Sequence, residues 1–178
     1  MIYARSLDQL LLLFVFFAAA QDLAARRIPN RLVGAGLASA LLLHGLAGPP
    51  WAVLASGMAG AATGLALFMP LYLVRGMAAG DVKLLAMVGA FCGPRAAGEI
   101  ALATCCIGGL MALAMLAVRG ELRQAMRNVA ALLRPLLWRL AGVPLASVVV
   151  AAPPSVGGMP YGVAIALGTA LVLFWRSA

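Results

Sequence analysis

Of 178 residues, 65% are hydrophobic and only 10% charged, and the mean hydropathy is +1.05. A water-soluble domain of this size cannot bury that much apolar surface, and several stretches approach the roughly 20 apolar residues that cross a bilayer. The composition therefore points to an all-α, multi-pass membrane protein. The net charge of +8 is no nucleic-acid footprint, because the basic residues fall between apolar segments instead of forming one patch.

The first expected span covers residues 7–25, with an uninterrupted apolar run from Leu10 to Ala20. A signal peptide cut near Ala18-Ala19-Ala20 is the alternative, but such peptides carry their positive charge in front. Here Arg5 is offset by Asp8, and Arg26, Arg27 and Arg31 follow the run. An uncleaved span entering from the outside fits better. A second span over 32–47 ends at the turn signal Gly48-Pro49-Pro50. The third covers 51–74, with Trp51 as an interfacial anchor. Residues 82–118 are too long for one crossing, and Gly93-Pro94-Arg95 divides them into a short piece, 82–94, and an ordinary span, 96–118. Residues 119–140 place Leu122, Met126, Val129, Leu133, Leu136 and Leu140 at steps of three or four, with arginines mostly elsewhere. That pattern predicts an amphipathic helix on the cytoplasmic membrane surface, kinked at Pro135. The last span covers 161–175.

Six spans with both ends outside put Arg26, Arg27, Arg31, Arg75, Lys83, Arg119, Arg123, Arg127, Arg134 and Arg139 in the cytoplasm. Arg5, Arg95 and Arg176 fall outside, a bias of ten to three in the expected direction. Gly60 with Gly64 and Gly89 with Gly93 have the small-residue spacing that lets such spans approach closely.

In this topology Asp22, in the last turn of the first span, and Asp81, at the start of the fourth, reach the same cytoplasmic depth from positions 59 residues apart. An aspartate costs roughly 2.5–3.5 kcal/mol at the centre of a membrane helix and less near its end, so each requires a reason. Local pairing is one: Asp22 with Arg26, and Asp81 with Lys83 or Arg75. A shared task is the other. Two close carboxylates in a low-dielectric site do not both ionise easily, so one holds a proton while the other is free to take one. That is the equipment of aspartic proteolysis, in which one carboxylate activates water and the other polarises the scissile carbonyl. Gly76 and Gly80, with Ala78 and Ala79 between them, leave little bulk beside Asp81, so a substrate backbone has room to approach.

Other chemistries have less support. Ser56-Gly57 lacks a GxSG setting, and His44 falls near the outer face, leaving that serine no evident base; His44 reads as a pore-side or packing residue. Cys92, Cys105 and Cys106 include no CxxC pair and sit in apolar stretches, which suits packing. With one histidine and no HExxH, no metal and no cofactor are expected. Glu99 reads as structural, and Glu121 as a surface charge pairing with an arginine.

Three segments resemble one family in order and spacing. GMAAGDVKLLAMVGAFCGP (76–94) is similar to the second-aspartate motif of type IV prepilin peptidases, the bacterial GxGD membrane proteases. QDLAARRIPNRL (21–32) resembles their first-aspartate segment and MPYGVAIALG (159–168) their final span. The resemblance implies that Asp22 and Asp81 are the catalytic pair, with Gly80 before the second aspartate and Lys83 after it. Gly76, Ala78, Pro29 and Asn30 are then supporting or substrate-proximal. Ala78 replaces the first motif glycine. The implied substrates are prepilins or pseudopilins, cut after a short basic leader at the cytoplasmic face of the bacterial inner membrane. Larger members carry a cytoplasmic insertion with paired CxxC motifs and methylate the new N-terminus. The connection between the first two spans has no room for it, so the chain looks like the short branch serving tight-adherence (Flp-type) pili, a protease without methyltransferase activity. Membrane lipid is expected as a partner of the arginine-rich helix; nucleic acid is not. A proton-coupled transporter or channel subunit using both aspartates as a relay is the alternative from another class.

Overall fold

The computed structural model describes residues 2–47, 50–74, 76–130 and 159–177. Among these the secondary structure is helical, with no strands. Helices α1 (Ile2–Ala25), α2 (Asn30–Ala47), α3 (Pro50–Leu73), α4 (Ala79–Arg119) and α5 (Tyr161–Ser177) follow in chain order. Three of them contain stretches long and apolar enough to cross a membrane: Ser6–Ala25, Leu54–Leu73 and Ala79–Arg119. Helix α5 is apolar but shorter. Six crossings thus remain part of the proposed topology, while the all-helical membrane architecture stands.

The chain forms two compact units, Met1–Gly108 with Pro160–Ala178, and Gly109–Met159. In the first unit α4 is not one straight rod. Gly93 has φ 78° and ψ 173°, a left-handed conformation that glycine adopts without steric cost, and Pro94 follows it. A side chain on Gly89 would meet the Ala97 Cβ at 3.2 Å, although residues eight apart in a helix stand about 12 Å apart. Gly93 therefore folds α4 into two arms, at the Gly-Pro step where the sequence divides it.

The first arm is the centre of the unit. Asp81, Val82, Leu84, Leu85, Met87, Val88, Gly89, Ala90 and Phe91 are all buried, leaving only Lys83 fully outside the packing over this stretch. Its neighbours approach at backbone distance. Gly60 of α3 lies against the Gly89 carbonyl and Gly93, and Gly64 lies against the Leu85 carbonyl, so a side chain at either would collide with backbone that cannot turn away. In a membrane, where apolar burial from water does not drive helix association, such contact-distance packing holds helices together. The small-residue spacing read from the sequence falls on this interface. Phe14 of α1 meets Phe91 with ring centroids 6.1 Å apart. The second arm runs antiparallel to α5: Thr104 abuts Gly168, Tyr161 abuts Gly108, and Arg176 Nε donates to Glu99 Oε2 at 3.1 Å. Both members of that ion pair are more than a third exposed, so Glu99→Gln should change the melting temperature of the detergent-solubilised chain little, by an energy below about 1 kcal/mol.

His44 has a structural task that sequence reading left open. Pro94 has no N–H, so the Ala90 carbonyl four residues earlier loses its helical partner. His44 Nε2, 2.9 Å away and therefore the protonated ring nitrogen, donates to that carbonyl. Gly57 leaves space for the imidazole, since a Cβ there would stand 3.2 Å from the His44 ring. Replacing His44 by alanine should leave a buried acceptor unpaired and destabilise the turn by about 1–3 kcal/mol, read as a lowered melting temperature; an unchanged melt would remove this role. Of the cysteines, Cys92 is half-buried, while Cys105 and Cys106 are exposed on the second arm and do not pack inward as expected.

In the second unit α4 ends on Gly120 (φ 69°), with Glu121 N–H donating to the Leu116 carbonyl at 3.0 Å, a glycine-closed helix end. Residues 122–130 are again helical, with Leu122, Met126 and Val129 exposed on them. Residues 131–140 of the expected amphipathic helix lie outside the described residues. Glu121 corrects its reading as a surface charge: it is half-buried, and its Oε2 has no hydrogen-bond partner among the described residues.

Candidate active site

Asp22 sits in the last turn of α1 and is 7% exposed. The helix stops just beyond it because Arg26 takes a left-handed conformation (φ 50°) and its N–H returns to the Asp22 carbonyl at 2.9 Å. The carboxylate points to α5. Its Oδ2 accepts a hydrogen bond of 2.7 Å from the Gly162 N–H, the second residue of that helix. Backbone N–H groups in a first helical turn have no partner in their own helix. Asp22 thus supplies from another helix what a capping residue normally supplies from the same chain segment. Only glycine fits at 162, since a Cβ there would stand 2.9 Å from Asp22 Oδ2 and 3.0 Å from its Cβ.

Asp81 is the third residue of α4 and 6% exposed. Its N–H bonds the Ala78 carbonyl at 3.1 Å, closing the first turn. The two carboxylates lie within electrostatic reach and repel one another, and the Tyr161 phenol lies within reach of Asp81. The structure therefore brings together two buried acids from distant positions, beside the N-terminus of α5.

The other residues named from the sequence divide into two groups. Gly80 faces Ile28, with 3.4 Å between the position of a Cβ and the Ile28 Cβ, so the α1–α2 connection packs on the start of α4. The Pro29 carbonyl accepts from the N–H groups of Leu32 and Val33, opening α2. Asn30 Oδ1 then accepts from Lys83 Nζ at 3.2 Å, tying α2 to α4. Gly76 and Ala78 are exposed on the connection into α4, with the Gly76 N–H donating to the Leu71 carbonyl at 2.8 Å. Sequence reasoning did not single out Tyr161, Gly162 or Ile28. The MPYG stretch carried a signal for the first two, a glycine directly at the start of an apolar run, but nothing in it names Asp22 as the partner.

A family model described as the type IV leader peptidase family matches residues 9–113, more than half of the chain and both aspartates. No curated protein and no solved structure matched the chain.

Proposed function

The chain belongs to the type IV leader peptidase family, and from that premise we propose that it is a membrane aspartic endopeptidase in which Asp22 and Asp81 are the catalytic pair. The observation that carries the reading is the convergence of two buried carboxylates, each in the end turn of its helix, within electrostatic reach of each other. One carboxylate takes a proton from water as the oxygen attacks the scissile carbonyl; the other gives its proton to the carbonyl oxygen. The tetrahedral intermediate collapses when a proton passes to the leaving amine and the C–N bond breaks, which restores the pair. No covalent intermediate forms.

The proposed substrates are prepilin-like chains with a short basic leader before an apolar helix, cut at the cytoplasmic face of the bacterial inner membrane. The Flp-type branch is favoured by the connection between α1 and α2, which runs only from Arg26 to Pro29 and leaves no place for a methyltransferase insertion. The test is leader cleavage of an Flp-type prepilin by the chain reconstituted in vesicles, beside Asp22→Asn and Asp81→Asn at equal abundance. Cleavage by wild type alone, giving a product whose N-terminus has gained no methyl group, supports the reading. Equal cleavage by both variants sinks the pair, and proton flux abolished by the same substitutions would favour a relay instead.

A further inference from the structure

Lys83 lies two residues beyond Asp81 and, at about 100° per residue, leaves α4 on the opposite side. Its Nζ is held by Asn30 Oδ1 at the head of a groove of about 430 Å³ between α2, α3 and the first arm of α4. Gly34 and Leu37 of α2, Leu65 of α3 and Met87 of α4 line its body. A side chain on Gly34 would meet no atom within 4 Å, so the space there is open. We propose that this groove binds one anionic phospholipid, with its phosphate on the Lys83 ammonium and an acyl chain along Gly34, Leu37, Leu65 and Met87.

The ligand class follows from the distribution of polarity. One end of the groove is cationic and the body is apolar, so the matching molecule is an amphiphile with a single anionic head. Asn30 is a neutral acceptor that uses one N–H of the ammonium, and among the described residues no carboxylate pairs with Lys83; an ammonium has three donors, and phosphate oxygens can take the others. Inorganic phosphate would leave the apolar body empty, and a zwitterionic lipid would bring its own cation beside the ammonium and so cancel much of the attraction of its phosphate. Two of the helices that wall the groove, α3 and α4, are long and apolar enough to cross a membrane, where phospholipid would surround it. Basic pockets between membrane helices hold lipid headgroups on this principle.

The test is native mass spectrometry of the purified full-length chain titrated with phosphatidylglycerol or phosphatidylcholine, using wild type, Lys83→Gln and Gly34→Leu. Wild type should bind the first phosphatidylglycerol roughly fivefold tighter than phosphatidylcholine, the effect of one cation near an anionic headgroup. Lys83→Gln should erase that preference, and Gly34→Leu, which fills the open space, should weaken both lipids. Lys83 is exposed, so its variant answers the question even if Gly34→Leu fails to fold. Equal binding of both lipids by wild type, or a preference that survives Lys83→Gln, overturns the proposal. So does displacement of phosphatidylglycerol by an equimolar apolar helical peptide, which would give the groove to a polypeptide, or by inorganic phosphate, which would leave only an anion site.

Discussion

Asp22→Asn and Asp81→Asn should each lower the rate of prepilin leader cleavage by about 10³-fold, within the range that general acid–base groups contribute. Asparagine is chosen because it keeps the shape and one oxygen acceptor. At position 22 that oxygen can still receive the Gly162 N–H, so the link between α1 and α5 survives. At position 81 the helix start rests on the backbone bond to Ala78. What is lost in either variant is the ability to take or give a proton. In the proposed mechanism the carboxylates act as a unit, so the double variant should be little slower than either single one. Single-turnover cleavage in vesicles, with melting temperatures measured alongside, checks both points. A single variant that retains more than about a tenth of the wild-type rate would remove its aspartate from the chemistry.

The second large effect is expected at a residue without a side chain. Gly162→Ala should lower kcat by about 10²-fold and leave KM nearly unchanged, the cost typical of displacing a reacting group by about 1 Å. The new methyl group would stand 2.9 Å from Asp22 Oδ2, 3.0 Å from its Cβ and 3.2 Å from its Cγ. The oxygen can swing aside, but the Cβ belongs to the last turn of α1 and moves only with that helix. The carboxylate is therefore pushed off the Gly162 N–H and out of register with Asp81. A merely structural role would lower the melting temperature and the amount of folded protein without this kcat-specific loss. The initial-rate series that separates kcat from KM decides between them; a kcat within about twofold of wild type refutes the positioning role.

The residues involved explain why some of this was readable in the chain. Asp22 and Asp81 stand out because a carboxylate beside an apolar run is costly unless something uses it. Gly93-Pro94 announces its own break: glycine admits the left-handed turn and proline removes an N–H, whatever surrounds them. The partner of the carbonyl that Pro94 leaves open is another matter. His44 lies 46 positions earlier, and no local rule joins the two.

The sequence by itself determined that the chain is helical and apolar enough for a membrane, where it bends, and which two acids need explaining. Those properties depend on composition and on neighbours within a turn or two. Only the tertiary structure decided that the first arm of α4 is the buried centre, that Gly60 and Gly89 touch backbone to backbone, and that Asp22 is held by the start of α5 from 140 positions away. The physical reason is the solvent. In a membrane both the lipid-facing and the protein-facing sides of a helix are apolar, so periodicity no longer marks the inward face as it does in water. What distinguishes the inner side is shape, the small residues that permit contact, and shape acquires meaning only when the opposing helix is in place.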